Sequence, residues 1–290
     1  MSIRLIASDM DGTLLNPQAR ISAANIEAIR KLEQTDTEFL ICTGREYHDA
    51  KAFMEEAGIT CGYICLSGAT VHDNMGRAQT KIPLTAGNTA DVERIFNSYS
   101  INMDILTSHG RYTTCSREQK VKIARSFLSR RASSPAELEQ VIEEYLETVT
   151  FIESMEKLPE HVTVFKVCGN AILPETVMEM KKTFSHYPEL AAASSFPTNI
   201  ELTNANAQKG IALKAYADLR GISLDDVMTL GDSDNDSSMF TPEFGWTVAM
   251  ANAMPCIRDA AKYHTKSNEE DGVAWAIEQF VFGQGLKKYN

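Results

Sequence analysis

The chain has 290 residues, 43% of them hydrophobic, and a formal net charge of −11. That length suits one large domain or two modest ones, and the acidity argues against sequence-independent nucleic-acid binding, which needs a basic face to displace counterions. No run approaches the roughly 18 apolar residues of a membrane span, and the N-terminus lacks the longer apolar stretch of a signal peptide, so the expectation is a cytoplasmic protein that engages neither nucleic acid nor membrane.

The elements alternate from the start. Residues 4–8 form a short apolar run of the kind found in a doubly covered parallel strand. Ser22 reads as the N-cap of a helix to about Glu33, with Ile26, Ile29 and Leu32 at helical spacing. A second buried strand over 38–42 ends at Thr43-Gly44-Arg45, and a helix to about Ala57 is closed by Gly58. Residues 63–66 make a third strand, and 70–84 a hairpin around Asp73 to Gly76. Strand, helix, strand, helix, strand predicts a parallel α/β sheet.

From about 84 to 195 that rhythm is lost. Helices over 90–97, 134–148 and 174–186 mix with strand-like pieces over 103–106 and 162–167, so this block reads as an inserted α+β unit. The first rhythm then returns. Lys209-Gly210 opens a helix to Leu219, residues 227–230 form an apolar strand, and residues 246–250 with a helix over 272–281 complete the sheet. The six cysteines (Cys42, Cys61, Cys65, Cys115, Cys168 and Cys256) show no zinc spacing and are expected as buried free thiols.

Two acidic motifs carry the chemistry. Asp9-Met10-Asp11-Gly12-Thr13-Leu14 stands where the first strand ends, the position at which open α/β sheets bind ligands. Gly231-Asp232-Ser233-Asp234-Asn235-Asp236 follows another short buried strand. Two carboxylates about 5 Å apart repel by roughly 3 kcal/mol at an effective dielectric of 20. If the sheet brings both motifs together, they call for a cation, and oxygen ligands suit magnesium. Thr43-Gly44 and Lys209 would add a hydroxyl, backbone amides and an ammonium to hold a phosphoryl group. Arg45 follows the same turn and could touch substrate.

The motifs DxDGTL, TGR, Lys-Gly before a helix and GDSDND, in this order, resemble the haloacid dehalogenase superfamily, and more narrowly its Cof-type phosphatases. The SGATV at 67–71, VAMANA at 248–253 and DGVAWAIE at 271–278 also look like that group. The resemblance implies a Rossmann-like core at 1–83 and 196–290, with an α+β cap domain for substrate specificity at 84–195. It implies that Asp9 is the nucleophile, forming an aspartyl-phosphate, and that Asp11 is the general acid and base. Magnesium would be held by Asp9, the Asp11 backbone carbonyl and Asp232, with Asp236 behind. Thr43, Gly44, Lys209, Asn235 and the amides at Met10 and Asp11 would surround the phosphoryl oxygens. The family often has Asn-Gly-Ala where this chain has Ser67-Gly68-Ala69.

The function expected is hydrolysis of small phosphorylated metabolites, sugar phosphates first. A phosphotransferase or mutase on the same fold is the alternative. A phospho-acceptor switch fits less well, because a stable switch has no use for an acid–base group two residues after its aspartate. A nicotinamide enzyme is remote, since no G-x-G-x-x-G follows the first strand. The oligomeric state is not legible.

Overall fold

The computed structural model describes residues 2–130 and 132–283. Its contacts divide the chain into two units, one built from the segments up to Lys81 and from Gln208 onward, the other from Ile82–Ala207.

The first unit begins with β1 (Leu5–Ser8), in which every residue is buried. A fully buried strand of this kind needs cover on both faces, which crossover helices provide. The Ser22 hydroxyl accepts the Asn25 amide and starts α1 (Ala23–Lys31). β2 (Glu38–Cys42), α2 (Tyr47–Glu56) and β3 (Gly62–Cys65) follow. The hairpin β4 (Thr70–His72) and β5 (Ala78–Lys81) turns on Asp73, whose Oδ1 accepts the amides of Met75 and Arg77 at 2.9 Å each.

The second unit opens with α3 (Ala86–Ser98), closed at its start by a reciprocal Thr85–Asn88 cap. After it come β6 (Asp104–Thr107), β7 (Gly110–Thr113), α4 (Arg117–Leu128), α5 (Pro135–Glu147) and β8 (Val149–Phe151). β9 (Val164–Asn170), α6 (Pro174–Phe184), β10 (Leu190–Ala193) and β11 (Asn199–Asn204) complete it. The sheet order is β10-β11-β9-β6-β7-β8, antiparallel except for the β7–β8 pair. Ile105, Val167 and Leu202 stand opposite one another in register and share a core with Val92, Phe96, Met180 and Phe184. Because side chains alternate across a strand, the neighbouring row of Asp104, Cys168 and Glu201 lies on the other face.

The chain then returns to the first unit with α7 (Lys209–Leu219), β12 (Val227–Gly231), β13 (Trp246–Ala249), α8 (Pro255–Ala260), β14 (Tyr263–His264) and α9 (Gly272–Phe280). Its sheet runs β14-β13-β12-β1-β2-β3-β4-β5. The strands from β14 to β3 are parallel and the last two pairings antiparallel.

Three expectations differ from the structure. Residues 196–207, placed in the core unit by sequence, belong to the second unit, because β11 pairs with β9 and β10. The alternation of Ile200 and Leu202 with Glu201 and Thr203 in β11 is the period of an antiparallel strand with one polar row, here also buried, not of a parallel core strand. α4 was not anticipated, since only Lys120 and Ala124 of its twelve residues are buried and its apolar stripe is thin. Of the cysteines, Cys256 is exposed and Cys168 partly so, while the other four are buried.

Candidate active site

The parallel register explains why distant motifs meet. Ser8 at the end of β1 is level with Ile41 on one side and Leu230 on the other. Asp9, whose amide donates to the Leu230 carbonyl at 3.0 Å, therefore emerges between the ends of β2 and β12. Thr43 and Asp232 each stand one step past their own strand's end.

The first acidic loop turns at once. Met10 is fully buried, and its carbonyl accepts the amides of Thr13 and Leu15 at 3.3 and 2.8 Å. Gly12 has φ +81°, and a Cβ there would lie 2.4 Å from an Asp232 carboxylate oxygen. Only glycine combines that conformation with that approach. The Thr13 hydroxyl donates to Asp232 Oδ1 at 3.0 Å and joins the two acidic loops.

Lys209 is completely buried and opens α7. Its ammonium donates to Asp9 Oδ1 and Asp236 Oδ1 at 2.6 Å each, and to Asn235 Oδ1 at 3.2 Å. The helix approaches so closely that a Cβ on Gly210 would fall 1.8 Å from the Ser238 carbonyl oxygen. Asp236 is held on its other oxygen by the amides of Asp232 and Ser233, both at 3.0 Å. Asn235 Oδ1 also accepts the Ser233 hydroxyl at 3.0 Å.

The Thr43-Gly44-Arg45 turn lies at the end of β2. Thr43 is buried, and its hydroxyl oxygen accepts the Arg45 amide at 3.2 Å. The Arg45 guanidinium forks onto the Asp11 carboxylate, with bonds of 2.6 and 2.7 Å, and lies over the Phe53 ring at 4.8 Å. So Asp9 and Asp11, two residues apart, keep different company: one is enclosed with Lys209 and two further acids, the other is half-exposed against an arginine. Beyond β3, Ser67 takes φ +58° between Leu66 at +51° and Gly68 at +106°, a region that favours asparagine over serine. Its amide donates to the Thr43 carbonyl at 3.0 Å.

The electrostatics follow from this crowding. Burial, and then the charge of Asp236, push Asp9 well above the usual carboxylate range, against the pull of Lys209. Burial and Asp236 likewise push Asp232 up to about 7. Lys209 is raised: burial opposes its charge, but Asp236 and Asp9 overcome it. A divalent cation would reverse the upward pressure on the acids. Asp9, Asp232 and Asp236 each bring one carboxylate oxygen within 4.8 Å of the others, a hard-oxygen set that fits magnesium.

Sequence reasoning missed the asparagines that brace the first loop. Asn252 donates to the Gly12 carbonyl at 2.8 Å, Asn25 to Leu14 at 3.3 Å and Asn268 to Leu15 at 2.8 Å. Only Asn252 carried a signal, as part of the VAMANA stretch.

The haloacid dehalogenase-like hydrolase family matches residues 6–277. The chain is 31% identical over 293 residues to the 5-amino-6-(5-phospho-D-ribitylamino)uracil phosphatase YwtE of Bacillus subtilis, covering 97% of this chain and 99% of that protein. It is 30% identical to the phosphatase YwpJ of the same bacterium, covering 96% and 100%. A solved haloacid dehalogenase-like hydrolase from B. subtilis superposes with a TM-score of 0.83 at 29% identity, covering 95% and 99%. A subclass IIB sugar phosphatase of the superfamily shares the fold, with a TM-score of 0.76 at 20% identity over 96% and 98% of the two chains. With its acidic loops at the ends of β1 and β12 and these relatives over nearly its full length, the chain belongs to the haloacid dehalogenase-like hydrolases, among their phosphatases.

Proposed function

We propose that the chain hydrolyses small phosphate monoesters with magnesium, through an aspartyl-phosphate on Asp9. One observation carries this reading: the two carboxylates of one loop are held apart in role, Asp9 enclosed against Lys209 and Asp11 exposed against Arg45. An Asp9 oxygen attacks phosphorus, the ester P–O bond breaks, and Asp11 gives a proton to the departing oxygen. Asp11 then takes a proton from water as that water attacks phosphorus. The bond to Asp9 breaks, and inorganic phosphate leaves with the Asp9 carboxylate restored.

Lys209, Thr43, Asn235 and the amides at Met10, Asp11 and Gly44 receive the phosphoryl oxygens in this reading. Asp9, Asp232 and the Asp11 backbone carbonyl would hold magnesium, with Asp236 orienting Lys209 and the second loop behind them. When bound, the metal supplies positive charge to the phosphoryl group. The second unit selects the part of the substrate beyond the phosphate. The relative named for a phosphorylated ribityl compound supports a sugar or polyol phosphate as the substrate class.

The test is phosphate release from a panel of monoesters, with magnesium and with chelator. Turnover is expected only with magnesium, and Asp9→Asn should lower it by about 10⁴-fold or more. Full turnover by Asp9→Asn would remove the assigned nucleophile, and release of an isomeric phosphate ester in place of inorganic phosphate would favour a mutase.

A further inference from the structure

We infer that Asn252, oriented by Asn268, is a positioning residue that ties the two acidic loops together and so sets the magnesium affinity and turnover of the site. The inference deepens the phosphatase reading and rests on it. It starts from the three carbonyls of the first loop, at Gly12, Leu14 and Leu15, each capped by an asparagine side chain from a different segment. An amide is suited to this. It offers a donor and an acceptor at fixed separation and adds no charge to an acidic cluster.

The three caps are not equivalent. Asn25 is fully buried, and its oxygen accepts the Ala274 amide at 2.8 Å, so it also fastens α1 to α9 and serves the core. Asn252 is exposed on the loop after β13. Its oxygen accepts the backbone N–H of Asn268 at 3.0 Å, while its NH₂ donates to the Gly12 carbonyl. Asn268 in turn donates to Leu15, which closes the set.

The same short turn grips the second acidic loop through its backbone. The Met250 amide donates to the Gly231 carbonyl at 3.2 Å, and the Met254 amide to the Asp232 carbonyl at 2.7 Å. Residues 250–254 thus hold Asp232 from one side and Gly12 from the other. Gly12 packs directly on the Asp232 carboxylate, and Thr13 donates to it. Any drift of the Gly12 carbonyl therefore changes the spacing between Asp232 and the Asp9–Asp11 stretch, whose oxygens form the cation site. Asn252 touches neither metal nor phosphate in this scheme and acts through the loop.

The test compares Asn252→Ala and Asn268→Ala with the wild-type chain. Magnesium-induced thermal shifts are read alongside steady-state phosphate release. Partners outside the donor set typically control about 10- to 100-fold in metal affinity or activity. Asn252→Ala should accordingly need about tenfold more magnesium for half its thermal shift and lose about tenfold in kcat with little change in KM. Asn268→Ala keeps the backbone amide that orients Asn252 and removes only the Leu15 cap, so it should move both in the same direction by less. Asn252→Asp, which keeps the acceptor but loses the donor to Gly12, carries the test should Asn252→Ala fail to fold. A lowered Tm with an unaltered magnesium midpoint and kcat would overturn the inference, reducing the pair to a structural clasp. The thermal shift needs no substrate. A failure of the phosphatase reading would thus be visible separately, as a wild-type chain that responds to magnesium and releases no phosphate.

Discussion

Both units of this protein bury lysines, Lys209 in the first and Lys120 and Lys166 in the second, and the company that Lys209 and Lys120 keep is different. In the first, Lys209 meets Asp9 and Asp236 at 2.6 Å, with Asp232 close enough to share a cation with them. In the second, Lys120 meets Asp104 at 2.5 Å, an oxygen that also takes the Thr113 hydroxyl at 2.8 Å, and the Tyr145 ring lies 5.5 Å from the ammonium. Three carboxylates around one ammonium leave a surplus of negative charge, and Asp9 and Asp232 register it by resisting ionisation. One carboxylate and one ammonium close on themselves. The surplus fits the proposed cation site, while the balanced pair fastens α4 to the sheet.

The sharpest way to break this contrast is to remove each ammonium while keeping its stem. Lys209→Met should cut phosphate release by about 10²- to 10³-fold, the usual loss when one preorganised donor to a developing charge is deleted. Lys120→Met should leave turnover per folded molecule intact and cost about 2 kcal/mol of stability. That is less than the roughly 3–5 kcal/mol for breaking a fully enclosed pair, because the Asp104 side chain is 23% exposed. Urea melts and phosphate release on both variants decide the matter. The contrast fails if the losses are exchanged.

A smaller effect tests the surplus itself. Magnesium that binds only the folded chain should stabilise it by about 2.7 kcal/mol at 100 times its Kd. The rise in Tm is read by differential scanning fluorimetry against a chelator blank. Asp232→Asn should abolish it by removing one of the clustered carboxylates, whereas Lys120→Met should keep it in full. A shift that survives Asp232→Asn would place the cation elsewhere.

The difference between the two lysines also explains how far the sequence could be read. Lys209 announced itself, because Asp9-x-Asp11 and Gly231-Asp232 each close a buried apolar run, and parallel strands bring their ends to one edge of the sheet. Lys120 had no such setting. It sits on a helix with a thin apolar stripe, and although the strand of its partner Asp104 was legible, nothing local says that this helix packs on it. The assignment of residues 196–207 failed for a related reason. Ile200 and Leu202 are as apolar as a core strand requires; their alternation with Glu201 and Thr203 points to an antiparallel strand, and their pairing with β9 and β10 places them in the second sheet. Arg45 was legible as a residue near the phosphate turn but not as the partner of Asp11, since a fork of two bonds depends on side-chain direction. The asparagine caps on Gly12 and Leu15 come from segments more than two hundred residues away; Asn252 stood in a recognisable stretch, but nothing local in the sequence marks its bond to Gly12, and Asn268 left no pattern at all.

The smallest effect concerns pH and separates charge from packing in the balanced pair. Burial alone would lower Lys120, but the charge of Asp104 overrides it and holds the ammonium above its ordinary value. A lysine whose pKa is raised on folding contributes stability that is complete below its unfolded pKa of about 10.4 and is lost as pH climbs through the higher folded value. The stability gap between the wild-type chain and Lys120→Met should therefore be flat from neutral pH to about pH 9 and begin to close above about pH 10. Urea midpoints at three pH values measure it, and added salt should change the gap little, because a mostly buried pair is weakly screened. A gap that stays constant above pH 10 would mean that Lys120 is held by its stem against Tyr145 and not by Asp104. Lys120 would then be a packing residue with a charge attached, and the contrast with Lys209 would rest on the surplus of acids around Asp9 alone.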